Sequence, residues 1–350
     1  MNYGELNKRE KSILRYIIQQ FILTASPVGS KNITKKYDIG ISAATVRNIM
    51  ADLEEYGYIN HPHTSAGRIP TDKGYRFYVD SLKDIMHLGE LEKGMINKEL
   101  VKAELDTEEL LDISSTLLSN ITKQLACVSY PKIDTAIFNK MQIVRLSSTK
   151  ILVVISINSG LVKTITLEIK SFIKDSQFTS VQRLLNERLN GLTFKEIRAT
   201  FSERFKDIRK EQRPLIHLFV NSVDKIFKDI TQTDKIVIKG AKNVFNQPEF
   251  GDPQKFQGII ELIEDKEIII HVLEKSESIA NDQVFISIGS ENEFKELNEY
   301  SFISKEYKQD DIHGTLAVIG PKRMEYSKVI AIVDYVAKSL SQVLINQSTK

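Results

Sequence analysis

The chain has 350 residues, 41 % hydrophobic and 27 % charged, with a formal net charge of +2 and a single cysteine, Cys127. Those values exclude a disulfide scaffold, a disordered polyelectrolyte and a Cys-rich zinc module, and the length exceeds what one hydrophobic core usually serves, so two or three domains are expected. Glu5 and Glu10 stand where a secretory signal would be basic, and no apolar run approaches the ~20 residues that span a bilayer, so a cytoplasmic protein without membrane contact is expected.

In chain order, Asn7 to Thr24 reads as a helix with Ile13, Ile17 and Phe21 on one face beside Leu14 and Ile18. Ser26 to Ser30 breaks it, and Ser30 can cap a short helix from Lys31 to Tyr37. Asp38-Ile39-Gly40-Ile41 is a tight turn of helix-turn-helix length. Ser42 then caps a helix whose Val46, Ile49, Met50 and Leu53 recur at i, i+3, i+4, i+7. Its other face is small, polar or cationic at the N-terminal end and acidic at the far end, with Asp52, Glu54 and Glu55. A helix entering a major groove uses its N-terminal residues on base edges, so Ser42, Ala43, Thr45, Arg47 and Asn48 are the candidates for base contact. Gly57 is placed to end the helix in the left-handed conformation.

Tyr58 to Asn60 reads as a short strand, His61 to Arg68 as a polar hairpin tip and Ile69 as the return. A further helix follows, with Thr71 or Asp72 as cap. His63, Thr64, Ser65 and Arg68 of the tip, with Lys73 and Arg76 of that helix, are candidates for phosphate contact. Residues 1–80 hold 11 Lys and Arg against 8 Asp and Glu, so the remainder is about neutral. That modest excess suits one docking face on a nucleic acid rather than a coating protein.

From 83 to 104 the chain is charged and reads as a linker or linker helix. Glu104 to Ala126 is expected to be helical. Met141–Leu146 and Ile151–Ile157 read as two strands, the second so continuously apolar that a central place in a sheet covered on both faces is expected. Val162–Ile169 is a third strand. Helices are expected at Thr179–Leu189, Thr193–Phe201 and Arg213–Ile230, and a strand at Lys235–Lys239. After the breaker Asn246–Pro253 a helix runs to about Leu273. Strands at Val284–Ile288, Ser301–Tyr307 and Thr315–Ile319 and a final helix, Tyr326–Val343, complete the chain. The order suggests an α/β domain of five strands split by a mostly helical insertion.

Catalytic signatures are lacking: there is no G-x-S-x-G, P-loop or H-E-x-x-H, so no enzyme and no cofactor are expected. His61 and His63 have no third ligand near them in sequence, so no metal is expected either. Cys127 reads as a small buried side chain. Gly320-Pro321-Lys322-Arg323-Met324 reads as an anion loop or as a strand-to-helix turn at a domain interface.

The stretch IGISAATVRNIMADLEEYGYINHPHTSAGRIPTDKGYRFYVDSL resembles the N-terminal winged helix of the heat-inducible transcription repressor HrcA family. Ile288-Gly289-Ser290-Glu291-Asn292 and GTLAVIGPKRMEYSKVIAIVDYVAKSLS resemble that family's C-terminal signature, while residues 170–280 resemble it only loosely. The resemblance implies a multidomain α+β chain: a winged helix-turn-helix (1–82), a linker (83–104), and a GAF-like α/β domain (105–169 and 282–350) interrupted by an inserted dimerisation domain (170–281). The third strand, 162–169, fits either part. It further implies a homodimer on an inverted-repeat operator of double-stranded DNA upstream of chaperone operons, with the GroE chaperonin assisting the active repressor. Two alternatives stand beside it: a metabolite-gated regulator sensing through the GAF-like domain, and an enzyme whose winged helix makes only protein contacts.

Overall fold

The computed structural model describes residues 6–62, 67–82, 88–101, 106–169, 173–210, 212–228, 236–280 and 283–348. The N-terminal body is built from α1 (Lys8–Thr24), α2 (Ser30–Lys36), α3 (Ala43–Glu55), a two-stranded antiparallel hairpin of β1 (Ile59–Asn60) and β2 (Ile69–Pro70), and α4 (Asp72–Asp80). Asn7 opens α1 with a reciprocal cap, its side chain accepting from the Glu10 amide while Glu10 accepts from the Asn7 amide. Most of the expected stripes are buried: Ile13, Leu14, Ile17 and Ile18 of α1 meet Val46, Met50 and Leu53 of α3, while Phe21 and Ile49 are half-buried at the edge of this core. Of the two candidate caps for α4 the structure uses Thr71, whose hydroxyl accepts from the Gly74 amide at 3.2 Å.

Within residues 83–104, expected to be a linker or linker helix, Glu90–Leu100 forms a helix, α5. It buries Ile96 and Leu100 against α6 (Thr107–Thr122) and the final helix, α14 (Tyr326–Ser348), and Asn97 donates to the Tyr335 hydroxyl at 2.9 Å. The expected helix to Ala126 stops early. Lys123 adopts a left-handed conformation (φ 58°) that closes α6, and Leu125–Ser129 is a strand, β3. The apolar run there extends the helical stripe by composition, yet it is buried on both sides as a strand.

β3 lies inside a five-stranded antiparallel sheet of order β7-β3-β10-β9-β8, where β7 is Ile236–Lys239, β8 Phe285–Ile288, β9 Tyr300–Gln309 and β10 Ile312–Pro321. The pleat sends Ala126, Val128, Leu316 and Val318 towards α6 and α14. Leu125, Cys127, Ala317 and Ile319 face α12 (Pro253–Glu264) and α13 (Lys266–Ala280). Cys127 is thus a fully buried core residue, and burial pushes its thiol pKa far up.

The two strands expected in the first part of this domain are elsewhere, and the third, which fitted either part, goes with them. β4 (Phe138–Arg145), β5 (Lys150–Ile157) and β6 (Val162–Glu168) form a separate antiparallel sheet, β4-β5-β6. One face packs on α7 (Asp175–Leu189), α8 (Phe194–Arg204), α9 (Arg213–Asn221) and α10 (Val223–Phe227) in a core of its own. β5 is central in this sheet but covered on one face: Ile151, Val153, Ile155 and Ile157 are buried, while Leu152 and Val154 are half-exposed. The chain re-enters the larger sheet at β7, long before residue 282. Local alternation is the same for any half-buried strand, so periodicity could not assign sheet membership.

α14 bears on the expectation that no segment spans a membrane. Tyr326–Asn346 is long and apolar enough to cross a membrane by length and composition, and 56 % of that window is buried inside the molecule. Val329, Ile332, Val333, Val336, Leu340 and Leu344 are buried against the main sheet and its covering helices. The buried side of α14 is the apolar one, while Lys338, Gln342 and Asn346 are exposed and Lys328 and Asp334 half-buried, as in a core helix with one face towards solvent.

Candidate nucleic-acid interface

The N-terminal end of α3 carries the candidates for base contact. The turn before it needs Gly40 at φ 63°. Ser42 then accepts the Thr45 amide at 3.1 Å, and the two hydroxyls lie 3.0 Å apart, so both polar groups are fixed on the first turn. Ser42, Ala44, Thr45, Arg47 and Asn48 are exposed and Ala43 half-buried. Among the described residues, Arg47 and Asn48 enter no ion pair. Burial of Val46 and Met50 on the opposite side orients this edge outward.

The C-terminal end of α3 is closed by a Schellman arrangement. Gly57, at φ 75°, donates to the Glu54 carbonyl at 2.9 Å, and the Tyr58 amide donates to Leu53 at 2.9 Å. Glu54 turns back to the hairpin, where His61 Nδ1 meets one carboxylate oxygen and Arg68 Nε lies 2.7 Å from the other. The hairpin base is pinned to the chain before α2, because Val28 and Arg68 exchange backbone bonds at 2.8 and 2.9 Å. Gly67 runs so close to the Val28 backbone that a Cβ would lie 2.6 Å from it.

The expected phosphate-contacting residues divide. His63, Thr64 and Ser65 lie outside the described residues. Arg68, Lys73 and Arg76 are held by partners within the chain. Lys73 donates to the Tyr56 carbonyl at 2.8 Å and stands 4.2 Å above the Tyr58 ring, so it serves the C-terminus of α3. Arg76 donates through Nε to Glu291 at 2.7 Å and through Nη2 to the Ile286 carbonyl at 2.8 Å. The Glu291 hydrogen bond, against opposing burial, raises the Arg76 pKa further above its ordinary value.

Arg76 leads to contacts that position reasoning did not anticipate. Asp72 lies 2.8 Å from Lys322 Nζ and accepts from the Ser290 amide at 2.9 Å. Arg323 donates to the Ile22 carbonyl near the end of α1 at 2.8 Å and is held by Glu249 at 3.1 Å. The Tyr75 and Tyr326 rings approach within 6.1 Å. The loop Gly320 to Met324 is therefore a strand-to-helix turn at an interface between bodies. Of the two readings of this loop in the sequence, the interface turn is the one observed; its partners on α1 and α4 had no sequence signal.

No group of three or more His, Cys, Asp or Glu side chains is placed to hold a metal among the described residues. A cleft of about 630 Å³ at this interface is lined by Arg15, Tyr16, Leu23, Tyr78, Glu325 and Lys328 among others.

Comparison with known proteins agrees with these observations. The family model described as HrcA protein C terminal domain matches residues 108–330. The chain is 40 % identical to the heat-inducible transcription repressor HrcA of Chlorobium phaeobacteroides strain BS1, over 98 % of this chain and 100 % of that one. It is 39 % identical to the protein of the same name from Chlorobium chlorochromatii strain CaD3, over 99 % of this chain and all of the relative. A crystal structure of a hypothetical protein at 2.2 Å resolution superposes with a TM-score of 0.64 at 23 % identity, covering 98 % of this chain and 99 % of that one, so the same fold exists in an experimental structure. The chain belongs to the HrcA family of heat-inducible transcription repressors.

Proposed function

We propose that residues 6–80 form a winged helix-turn-helix that places the N-terminal turn of α3 in the major groove. Ser42, Ala43, Thr45, Arg47 and Asn48 face the base edges, with Arg47 suited to guanine and Asn48 to adenine. His63, Thr64 and Ser65 at the hairpin tip contact phosphate. Arg68, Lys73 and Arg76 build the module and its mounting instead. The observation that carries this reading is the two-sided order of α3: Val46, Met50 and Leu53 buried, Thr45, Arg47 and Asn48 exposed at the capped end.

In this proposal two copies of the cytoplasmic chain form a two-fold dimer, so that two α3 helices meet an inverted-repeat operator on one face of the duplex. The larger sheet with α6, α12, α13 and α14 is the GAF-like domain, and the three-stranded sheet with α7–α10 is the inserted dimerisation domain, between β3 and β7. The genes controlled are chaperone operons, and the GroE chaperonin assists folding of the active repressor. Similarity to the heat-inducible repressors over nearly the whole chain supports this assignment.

The test is a gel-shift titration with duplexes selected from a random library by the wild-type chain. Arg47→Ala is expected to cost ~1–3 kcal/mol of discrimination, about ten- to hundredfold, with nonspecific binding nearly kept. An unchanged ratio of specific to nonspecific affinity would remove α3 from the base edges.

A further inference from the structure

Helix α4 is bonded on one side to the recognition helix and on the other to the C-terminal body. On the first side, Lys73 donates to the Tyr56 carbonyl at 2.8 Å and the Thr71 hydroxyl donates to the Gly57 carbonyl at 2.7 Å. Gly74 passes so close beneath the Tyr58 carbonyl that a Cβ would collide with it, and the Tyr58 and Phe77 rings meet edge to face at 6.0 Å. With the C-terminus of α3 tied this closely, α3 and α4 turn as one piece.

On the other side, Arg76 grips Glu291 and the Ile286 carbonyl, and Asp72 sits on the Ser290 amide and Lys322. Gly289 makes this seat: its φ is +53°, and a side chain there would overlap the Asp72 carboxylate. A third attachment, from Arg323 to the Ile22 carbonyl, lies at the end of α1. Contacts from α4 and α1 to different parts of the C-terminal body fix an orientation, whereas one contact would leave a swivel. The arginine fork adds direction of its own. A cleft between α1, α4 and the start of α14 lies beside these contacts, and the buried Tyr75 and Tyr326 rings carry the apolar core from one body into the other, so the charged contacts add direction to an apolar joint.

We propose that Asp72, Arg76, Glu291 and Lys322 are positioning residues for DNA binding, and that this latch, acting through α4, sets the angle of α3 on the body and thereby the half-site spacing the repressor accepts. The inference rests on the DNA-reading proposal above. A two-fold reader with rigidly mounted heads accepts half-sites about one helical turn apart, on one face of the duplex. Heads released from the body reach half-sites in other phases, because each then engages independently.

The experiment uses the full-length chain and the duplex selected by the wild type, with about five base pairs, half a helical turn, inserted between the half-sites. The wild type should lose on the order of a hundredfold in affinity on insertion, because only one head can then engage. Arg76→Glu and Glu291→Arg should each lose less than about tenfold on insertion, still reading each half-site. The double variant Arg76→Glu with Glu291→Arg should recover the wild-type penalty, which a merely structural role for either residue would not produce. Should a charge reversal fail to fold, Arg76→Gln and Lys322→Gln are read in the same way. Single variants as spacing-selective as the wild type, or a double variant without recovery, would overturn the latch. Wild-type affinity that is insensitive to Arg47→Ala would overturn the underlying DNA reading, and the latch with it.

Discussion

The carboxylate of Asp72 rests against the α-carbon of Gly289, with the Ser290 amide donating to it at 2.9 Å and Lys322 Nζ 2.8 Å away. Residues from opposite ends of the chain thus form a seat in which only glycine fits. Gly289→Ala would add a side chain at φ +53°, costing about 1–2 kcal/mol of backbone strain, and would also evict the carboxylate. We expect a lower melting temperature and faster amide exchange over residues 72–76 than in the wild type. Unchanged exchange there would show that the seat relaxes around a methyl group.

The same seat predicts a pH dependence. Burial disfavours the Asp72 anion, but hydrogen bonds from Lys322 and Ser290 and the Lys322 charge outweigh it and hold the carboxyl below its ordinary 3.8. A depressed native pKa gives stability that is fully present above the unfolded value and is lost as pH falls below it. The melting-temperature gap between wild type and Asp72→Asn should therefore be constant across neutral pH and narrow below about pH 4. A gap that widened on acidification would contradict the sign.

Two glycines should respond oppositely to alanine. Gly74 meets the Tyr58 carbonyl, so Gly74→Ala must push α4 off the end of α3 and should destabilise the N-terminal body. Gly94 lies within α5 with nothing near its missing side chain, so Gly94→Ala should stabilise by roughly 0.5–1 kcal/mol. Chemical denaturation of both variants measures the pair, and a Gly74→Ala chain as stable as the wild type would refute the packing described for Gly74.

Lys73 was expected to contact phosphate, and its place under Tyr56 and over Tyr58 changes what its removal should do. Lys73→Ala should cost stability of about 1 kcal/mol through the lost carbonyl bond and ring contact. The slope of log affinity against log salt should stay as in the wild type. A slope reduced by about one would return Lys73 to the phosphate backbone.

What the sequence disclosed was what neighbours in sequence determine. Ser42, Val46, Met50, Leu53 and Gly57 specify α3 through a cap, a stripe and a left-handed stop, all within one local segment. Arg76 and Glu291 could not be paired from sequence, because a cation on an exposed helix face looks the same whether its partner is a phosphate or a distant carboxylate. β3 was hidden for a related reason: Leu125 and Cys127 continue the apolar run of α6, and only the left-handed Lys123 separates helix from strand. For β4–β6 the hairpin pattern was visible but its sheet was not, since registry between hairpins depends on what covers them.

β3 and β7 face each other with Ser129 opposite Ile236, so the polypeptide departs from and returns to the larger sheet at adjacent rungs of a single ladder. Neighbouring strands stand about 5 Å apart, a gap that a two-residue turn closes. The three-stranded sheet is therefore an excursion from one ladder, and it is tied down at a second place: the Ile137 amide donates to Asp311, the Thr135 hydroxyl donates to the Asp311 carbonyl at 2.8 Å, and Ile312 is buried in the smaller core. Exchanging such a module would mean matching the β9–β10 turn as well as the two strand ends.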